Sequence, residues 1–267
     1  MREFLYSAIY IGVRGRAIHG IFLLGFCLLG FSYLAAGFSP RQPQAVALDV
    51  GLSFLRFSLV LLAIFWVQEL VGKEFERKTV LVAFAYPVPR SSYLVGRYFG
   101  VVGLLLIAGL ILGLFLWWVV LVSDHGYAQG RAVDLGWPFA LAVLGVVIDA
   151  AVVAAFTLCI ASLSTVTLLP LVLGGLFAII SRALGPILDY LRHGADGDRQ
   201  MAENFGPILG LAQWGLPDLS RLDWRVGPLY QMNVPWDTLA WSVAMALSYV
   251  GLMLALAVFS CRRRELL

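Results

Sequence analysis

Apolar residues run along this chain in long blocks, without the alternating or every-third-residue stripes of a soluble fold. A helix needs about 20 mostly apolar residues to cross a bilayer, and six stretches meet that length: about 18–38, 50–71, 97–122, 137–161, 165–188 and 238–260. The polar interruptions between them are short, with two exceptions. One is 69–100, "ELVGKEFERKTVLVAFAYPVPRSSYLVGRYFG", where charge returns between two apolar runs. The other is 189–237, which carries Pro207, Pro217, Pro228 and Pro235 among apolar pieces such as "FGPILGLAQWGL". No interruption is suited to a soluble domain with its own core. The pattern predicts an all-α integral membrane protein, one transmembrane domain over 1–267 with six transmembrane helices.

Composition removes the main alternatives. The chain is 61% hydrophobic and 13% charged, against roughly 25% charged residues in a soluble domain. Its net charge of +3 is too small and too scattered for a nucleic-acid surface. Cys27, Cys159 and Cys261 have no paired spacing, so they read as small apolar residues, with neither a disulfide framework nor a metal site. The first apolar run exceeds a secretory h-region of about 7–15 residues and follows a segment carrying Arg2, Arg14 and Arg16. It is expected to be a retained span.

Loop charge sets the expected orientation. With both termini in the cytoplasm, the inner side collects Arg2, Arg14, Arg16, Lys73, Arg77, Lys78, Arg90, Arg97, Arg262, Arg263 and Arg264, eleven of the nineteen basic residues. Six others spread over longer loops on the outer side. Trp117, Trp118, Trp137, Trp236 and Trp241 then fall near outer helix ends, as an aromatic belt requires. The N-terminal "MREFLYSAIYIGVRGR" fits either an interfacial helix or an extension of the first span. The segment 189–237 fits either re-entrant pieces or a docking surface for a periplasmic partner.

The charged island at 72–86 is expected to be a short helix, stopped by Pro87 and Pro89. Glu69 with Lys73 and Glu74 with Lys78 are i,i+4 pairs in the favourable order. Phe75 and Val82 share another face, so the helix offers water one side and a partner's groove the other. Glu74, Glu76, Thr79, Leu81, Pro87, Arg90, Gly96 and Arg97 resemble, in order, the stretch after the second span of ABC-2 type transporter permeases. That stretch holds an acid, a Gly-Thr-Leu-like step, a Pro-x-x-Arg ending and Gly-Lys opening the third span. Lys78 stands here for the usual Gly, and Arg97 for the usual Lys. "WGLPDLSRLDW" is similar to a Pro-centred segment before the last span of some members.

The resemblance implies an ABC exporter permease in a bacterial inner membrane. The island would be its coupling helix, seated in a groove of a cytoplasmic ABC ATPase subunit. Glu69, Glu74, Phe75, Glu76, Arg77, Thr79 and Leu81 would contact or position that subunit, and Pro87 and Arg90 would set the return into the third span. The resemblance also implies a second permease copy, identical or similar, and leaves drugs, ions, lipids, polysaccharides and peptides open as substrates. The sequence contains no GxxxxGK[ST] phosphate cradle, so no cofactor is expected in this chain, and ATP and Mg would sit on the partner.

Asp149 stands inside the fourth apolar run, where an ionised carboxylate costs about 2.5–3.5 kcal/mol. Arg56 and Arg182 are its candidate partners, each expected nearer the outer surface than Asp149 by count along the runs. The three form either a structural ion pair or a polar point on a translocation path. Two other classes compete with a permease. A channel or secondary transporter would leave the island without a role and calls for matching halves, which the sequence lacks. A membrane enzyme needs clustered catalytic groups, but His19, His125 and His193 are far apart and neither HExxH nor GxSxG occurs.

Overall fold

The computed structural model describes residues 10–12, 14–39, 41–76, 90–124, 133–164, 166, 168–192 and 215–263. Six long helices, labelled here α1 to α6, account for most of them: Arg16–Gly37, Pro43–Val67, Arg90–Val122, Trp137–Leu163, Leu168–Arg192 and Trp236–Arg263. All six are long and apolar enough to cross a membrane, and no strand occurs among the described residues. The protein is an all-α, multi-pass membrane protein.

Several helices are longer than their apolar cores. α2 opens at Pro43 and α3 at Arg90, each seven residues ahead of its expected apolar run. Pro43 fits the first turn of α2, where its missing N–H has no intrahelical partner to lose. The added turns carry Gln44 and Asp49 or Arg90 and Ser91, which hydropathy alone excludes from a span. At 1.5 Å per residue, seven residues lengthen a helix by about 10 Å.

α2 and α4 form the middle of the bundle. α1 packs on α2, α2 on α3 and α4, and α4 also meets α3, α5 and α6. Leu52, Leu55, Leu59 and Leu62 of α2 are buried against Leu105 and Leu112 of α3 and Val146 and Ala150 of α4. A second apolar cluster joins Val152 and Val153 of α4, Phe177 of α5 and Ala246 of α6. Within it Phe177 stacks between Phe156, at 4.1 Å, and Tyr249, at 5.6 Å. The outward faces of α1, α5 and α6 stay apolar, with Leu23, Phe31, Ile179, Leu247 and Phe259 exposed. In a membrane such faces meet hydrocarbon or another apolar chain, so their exposure is no defect.

Two irregular pieces break the helical pattern. α2 continues through a π-turn, Gln68–Gly72, into a single turn of α-helix, Lys73–Glu76. Between α5 and α6, a 3-10 turn at Leu219–Leu222 and a short helix at Val226–Tyr230 fold back into the bundle. Leu219, Leu222 and Trp224 of that returning segment are buried in the second cluster. The two pieces lie at opposite ends: the turn Lys73–Glu76 at what we call the Glu74 end, the returning segment at the tryptophan-rich end.

Candidate functional site

Arg56, Asp149 and Arg182 come to one level of the bundle. Arg56 lies thirteen residues into α2, Asp149 twelve residues into α4, and Arg182 ten residues before the end of α5, which runs the opposite way along the bundle from α4. The expectation set both arginines nearer the outer surface than Asp149, yet both side chains reach it. It counted from the edge of each apolar run, and α2 starts seven residues before its own. Arg182 Nη1 donates to Asp149 Oδ2 at 2.9 Å, and Arg56 Nε lies 3.2 Å from the same oxygen without hydrogen-bond alignment. The Asp149 side chain is only 3% exposed.

A second carboxylate closes the cluster, and sequence reasoning missed it. Asp223, on the returning segment, accepts from Arg56 Nη1 at 3.2 Å and Arg182 Nη2 at 2.7 Å through Oδ2. Its Oδ1 lies 3.0 Å from Arg56 Nη2 and accepts from Arg225 Nε at 2.9 Å. Arg225 Nη1 in turn donates to Asp49 of α2 at 2.7 Å and to Ser53 at 3.2 Å. Three arginines face three aspartates, so the network is neutral as a whole. The signal available in the sequence was a lone acid between Leu222 and Trp224, two large apolar residues that the fold buries.

Small residues let the returning segment come this close. A Cβ added to Gly145 of α4 would stand 2.5 Å from the Leu222 carbonyl oxygen and 3.1 Å from the Trp224 ring. One added to Gly185 of α5 would stand 2.2 Å from Ser220 Oγ. Asp218 caps the 3-10 turn by accepting from Ser220 N at 3.1 Å, which orients the chain entering Asp223. Burial favours a neutral Asp223 carboxyl, but hydrogen bonds from Arg56 and Arg225 and their charges outweigh it, holding its pKa down at about 2. Burial likewise works against the Arg225 charge, and Asp223 and Asp49 more than restore it, raising its pKa.

The Glu74 end holds a smaller polar cluster. Glu74 accepts a hydrogen bond from the Tyr93 hydroxyl through Oε2 and pairs with Arg97 Nη2 through Oε1. Arg97 also lies over the Tyr93 ring, 5.5 Å from its centroid. Glu74 thereby ties the turn that follows α2 to the opening of α3. Glu69 and Lys73 form their i,i+4 ion pair at 2.5 Å. Gln68, at the start of the π-turn, buries both polar atoms of its amide without a hydrogen-bond partner among the described residues. Gly72 accommodates it, since a Cβ there would stand 2.3 Å from Gln68 Oε1.

Of the other residues named for the island, Phe75 and Glu76 are described by their backbone alone and Arg90 opens α3. Arg77, Thr79, Leu81 and Pro87 lie outside the described residues, as does most of the expected coupling helix at 72–86. Residues 193–214 of the segment 189–237 also lie outside. Among the described residues no group of three His, Cys, Asp or Glu side chains is placed to hold a metal.

Residues 19–189 match the family described as ABC-2 family transporter protein. The chain belongs to that family. It is the membrane permease component of an ABC transporter, a class of subunit that is not itself an ATPase. The match takes in most of α1, all of α2 to α4 and most of α5, and with them Arg56, Glu74, Asp149 and Arg182 of the permease. Asp223 and α6 follow the matched residues. No curated protein matches the permease.

Proposed function

We propose that the permease draws its energy from ATP hydrolysed by a separate cytoplasmic subunit docked on residues 72–86, and that it moves its substrate outward. The single observation that carries this reading is the Glu74 contact with Tyr93 and Arg97. It joins the two sides of one connection: the chain leaves the second span through Gly72 and opens α3 at Arg90, and one carboxylate links the exit to the re-entry. A force applied to the intervening residues by a moving partner reaches α2 and α3 together. Both helices pack on α4, so the displacement passes into the middle of the bundle.

In this reading the Glu74 end and both termini face the cytoplasm of a bacterial cell, and the permease lies in its inner membrane. ATP and Mg belong to the partner, and two permease chains, identical or similar, complete the transporter. Glu69, Glu74, Phe75, Glu76, Arg77, Thr79 and Leu81 contact or position the ATPase, while Pro87 and Arg90 set the return into α3. The described part of the segment 189–237 turns Leu219, Leu222 and Trp224 into the bundle, which supports a re-entrant piece there over a free docking face.

Purification of the solubilised permease from its native membrane, with ATPase activity assayed on the eluate, tests the reading. An ATPase subunit is expected to accompany the native chain and to be lost or uncoupled in Glu76→Ala and Leu81→Asp. Recovery of the folded native chain without ATPase activity refutes it.

A further inference from the structure

Arg56 and Arg182 join two carboxylates, Asp149 and Asp223, and of these four groups only Asp223 is not carried by a span. Asp149, Arg56 and Arg182 are fixed on α4, α2 and α5. Exposure follows the same division: the side chains of Asp149 and Arg56 are 3% and 8% exposed, against 23% for Asp223 and 29% for Arg182. The cluster is closed on its Asp149 side and approached on its Asp223 side. Asp223 is held as a bound anion is held. One guanidinium meets both of its oxygens, at 3.2 and 3.0 Å, and a second donates to one of them at 2.7 Å. Two planar forks converging on one carboxylate form the arrangement that selects carboxylates and phosphates, with directional donors a point charge does not supply.

Suppose the returning segment withdraws. Arg225 leaves with it, still paired with Asp223 through its Nε at 2.9 Å, and Asp49 remains on α2 seven residues from Arg56 with its side chain half exposed. Arg56 and Arg182 keep Asp149 alone, which neutralises one of the two. One positive charge and a set of forked N–H donors are then left inside the membrane, an arrangement that persists only with an anionic partner.

We infer that Arg56 and Arg182 form an anion-binding site which Asp223 fills in this state, and from which a carboxylate or phosphate group of the transported molecule displaces it. The displacement step rests on the transport reading above; the anion site itself does not. Asp223 is an internal stand-in for the ligand. Its segment, packed against Gly145 and Gly185, closes the tryptophan-rich end while the stand-in is bound. The ligand class is a molecule with a carboxylate or phosphate, and its source is either a soluble solute or a lipid headgroup.

The test uses the purified full chain in dodecyl maltoside, an uncharged detergent that offers no anion of its own. Asp223→Gly removes the stand-in, and thermal unfolding is followed in sodium chloride, sodium acetate and sodium phosphate at equal ionic strength. The variant is expected to lose Tm in chloride and to regain at least half of the loss, saturably, in acetate or phosphate, with no matching response in the native chain. Adding Arg182→Gln to the variant is expected to abolish the recovery. Added phosphatidylglycerol in chloride separates the sources: recovery there assigns the site to a lipid headgroup, and recovery only with soluble anions assigns it to a solute. Equal Tm in every salt and lipid overturns the inference. Asp223→Asn, which preserves side-chain volume, is read in the same way if the glycine variant is not recovered folded. No ATPase is present, so failure here leaves the energy-coupling reading intact, and failure of an ATPase to co-purify leaves this site intact.

Discussion

The two ends of the bundle organise charge in different ways. At the tryptophan-rich end, Asp49, Arg56, Asp149, Arg182, Asp223 and Arg225 come from three spans and a returning segment, with partners up to 176 residues apart. At the Glu74 end, one carboxylate meets Tyr93 and Arg97, only 19 and 23 residues away, and joins two successive helices across their connection. The first arrangement assembles helices that are distant in sequence and is sealed from solvent at Asp149. The second fastens the chain on either side of one connection. Distant, buried charge specifies how the bundle closes, and local charge specifies how one connection is held.

Removing the innermost carboxylate is the strongest test of that contrast. Asp149→Asn leaves Arg56 and Arg182 sharing Asp223 alone, and breaking a buried pair costs about 3–5 kcal/mol. Equilibrium unfolding in detergent is expected to show a loss of that size. A loss below that of a mutation at the Glu74 end would reverse the ranking of the two clusters.

Acid separates the ends by a different route. The Asp223 pKa is lowered from the ordinary 3.8 to about 2, so its folded form favours the ionised group. Its contribution to stability is complete above the unfolded value and is lost as pH falls through about 2. A tenfold change in proton affinity is worth roughly 1.4 kcal/mol, so the contribution amounts to about 2 kcal/mol. A titration of unfolding from about pH 4 to about pH 2 is expected to show this decline in the native chain and a shallower one in Asp223→Asn.

A smaller effect on stability than at Asp149, with a larger one on coupling, is expected at the Glu74 end. Glu74→Gln keeps the side-chain volume but removes the charge facing Arg97, and is expected to cost about 1.5–3 kcal/mol, the range for a hydrogen bond to a charged group. If the Glu74 contact transmits force, the variant retains a bound ATPase whose activity no longer responds to the permease. Unchanged coupling would reduce the Glu74 contact to local stability. Arg221→Ala marks the low end of the scale. Arg221 pairs with Asp218 at 3.2 Å, but its side chain is 64% exposed, and loss of such a pair is expected to change stability by under about 0.5 kcal/mol.

The sequence by itself determined the class of the molecule. Six apolar runs must become helices because each can satisfy its own backbone in lipid, and the ordered residues from Glu74 to Arg97 carried the family. It also singled out Asp149, Arg56 and Arg182, because ionisable groups inside apolar runs are costly. What it did not determine was their meeting. Hydropathy locates the hydrocarbon-compatible part of a helix, not its first turn, and α2 begins seven residues ahead of its apolar run.

Asp223 was decided by tertiary structure alone. In sequence it belongs to a Pro-rich connection, and nothing local distinguishes a loop that stays outside from one that re-enters. Burial of Leu219, Leu222 and Trp224 against α4, α5 and α6, with Gly145 and Gly185 leaving room for the backbone, draws the segment inward. The carboxylate follows the chain that carries it, and two arginines from distant spans are already placed to meet it. A buried charge acquires its partner through the packing of the elements around it, and that packing is a property of the whole bundle.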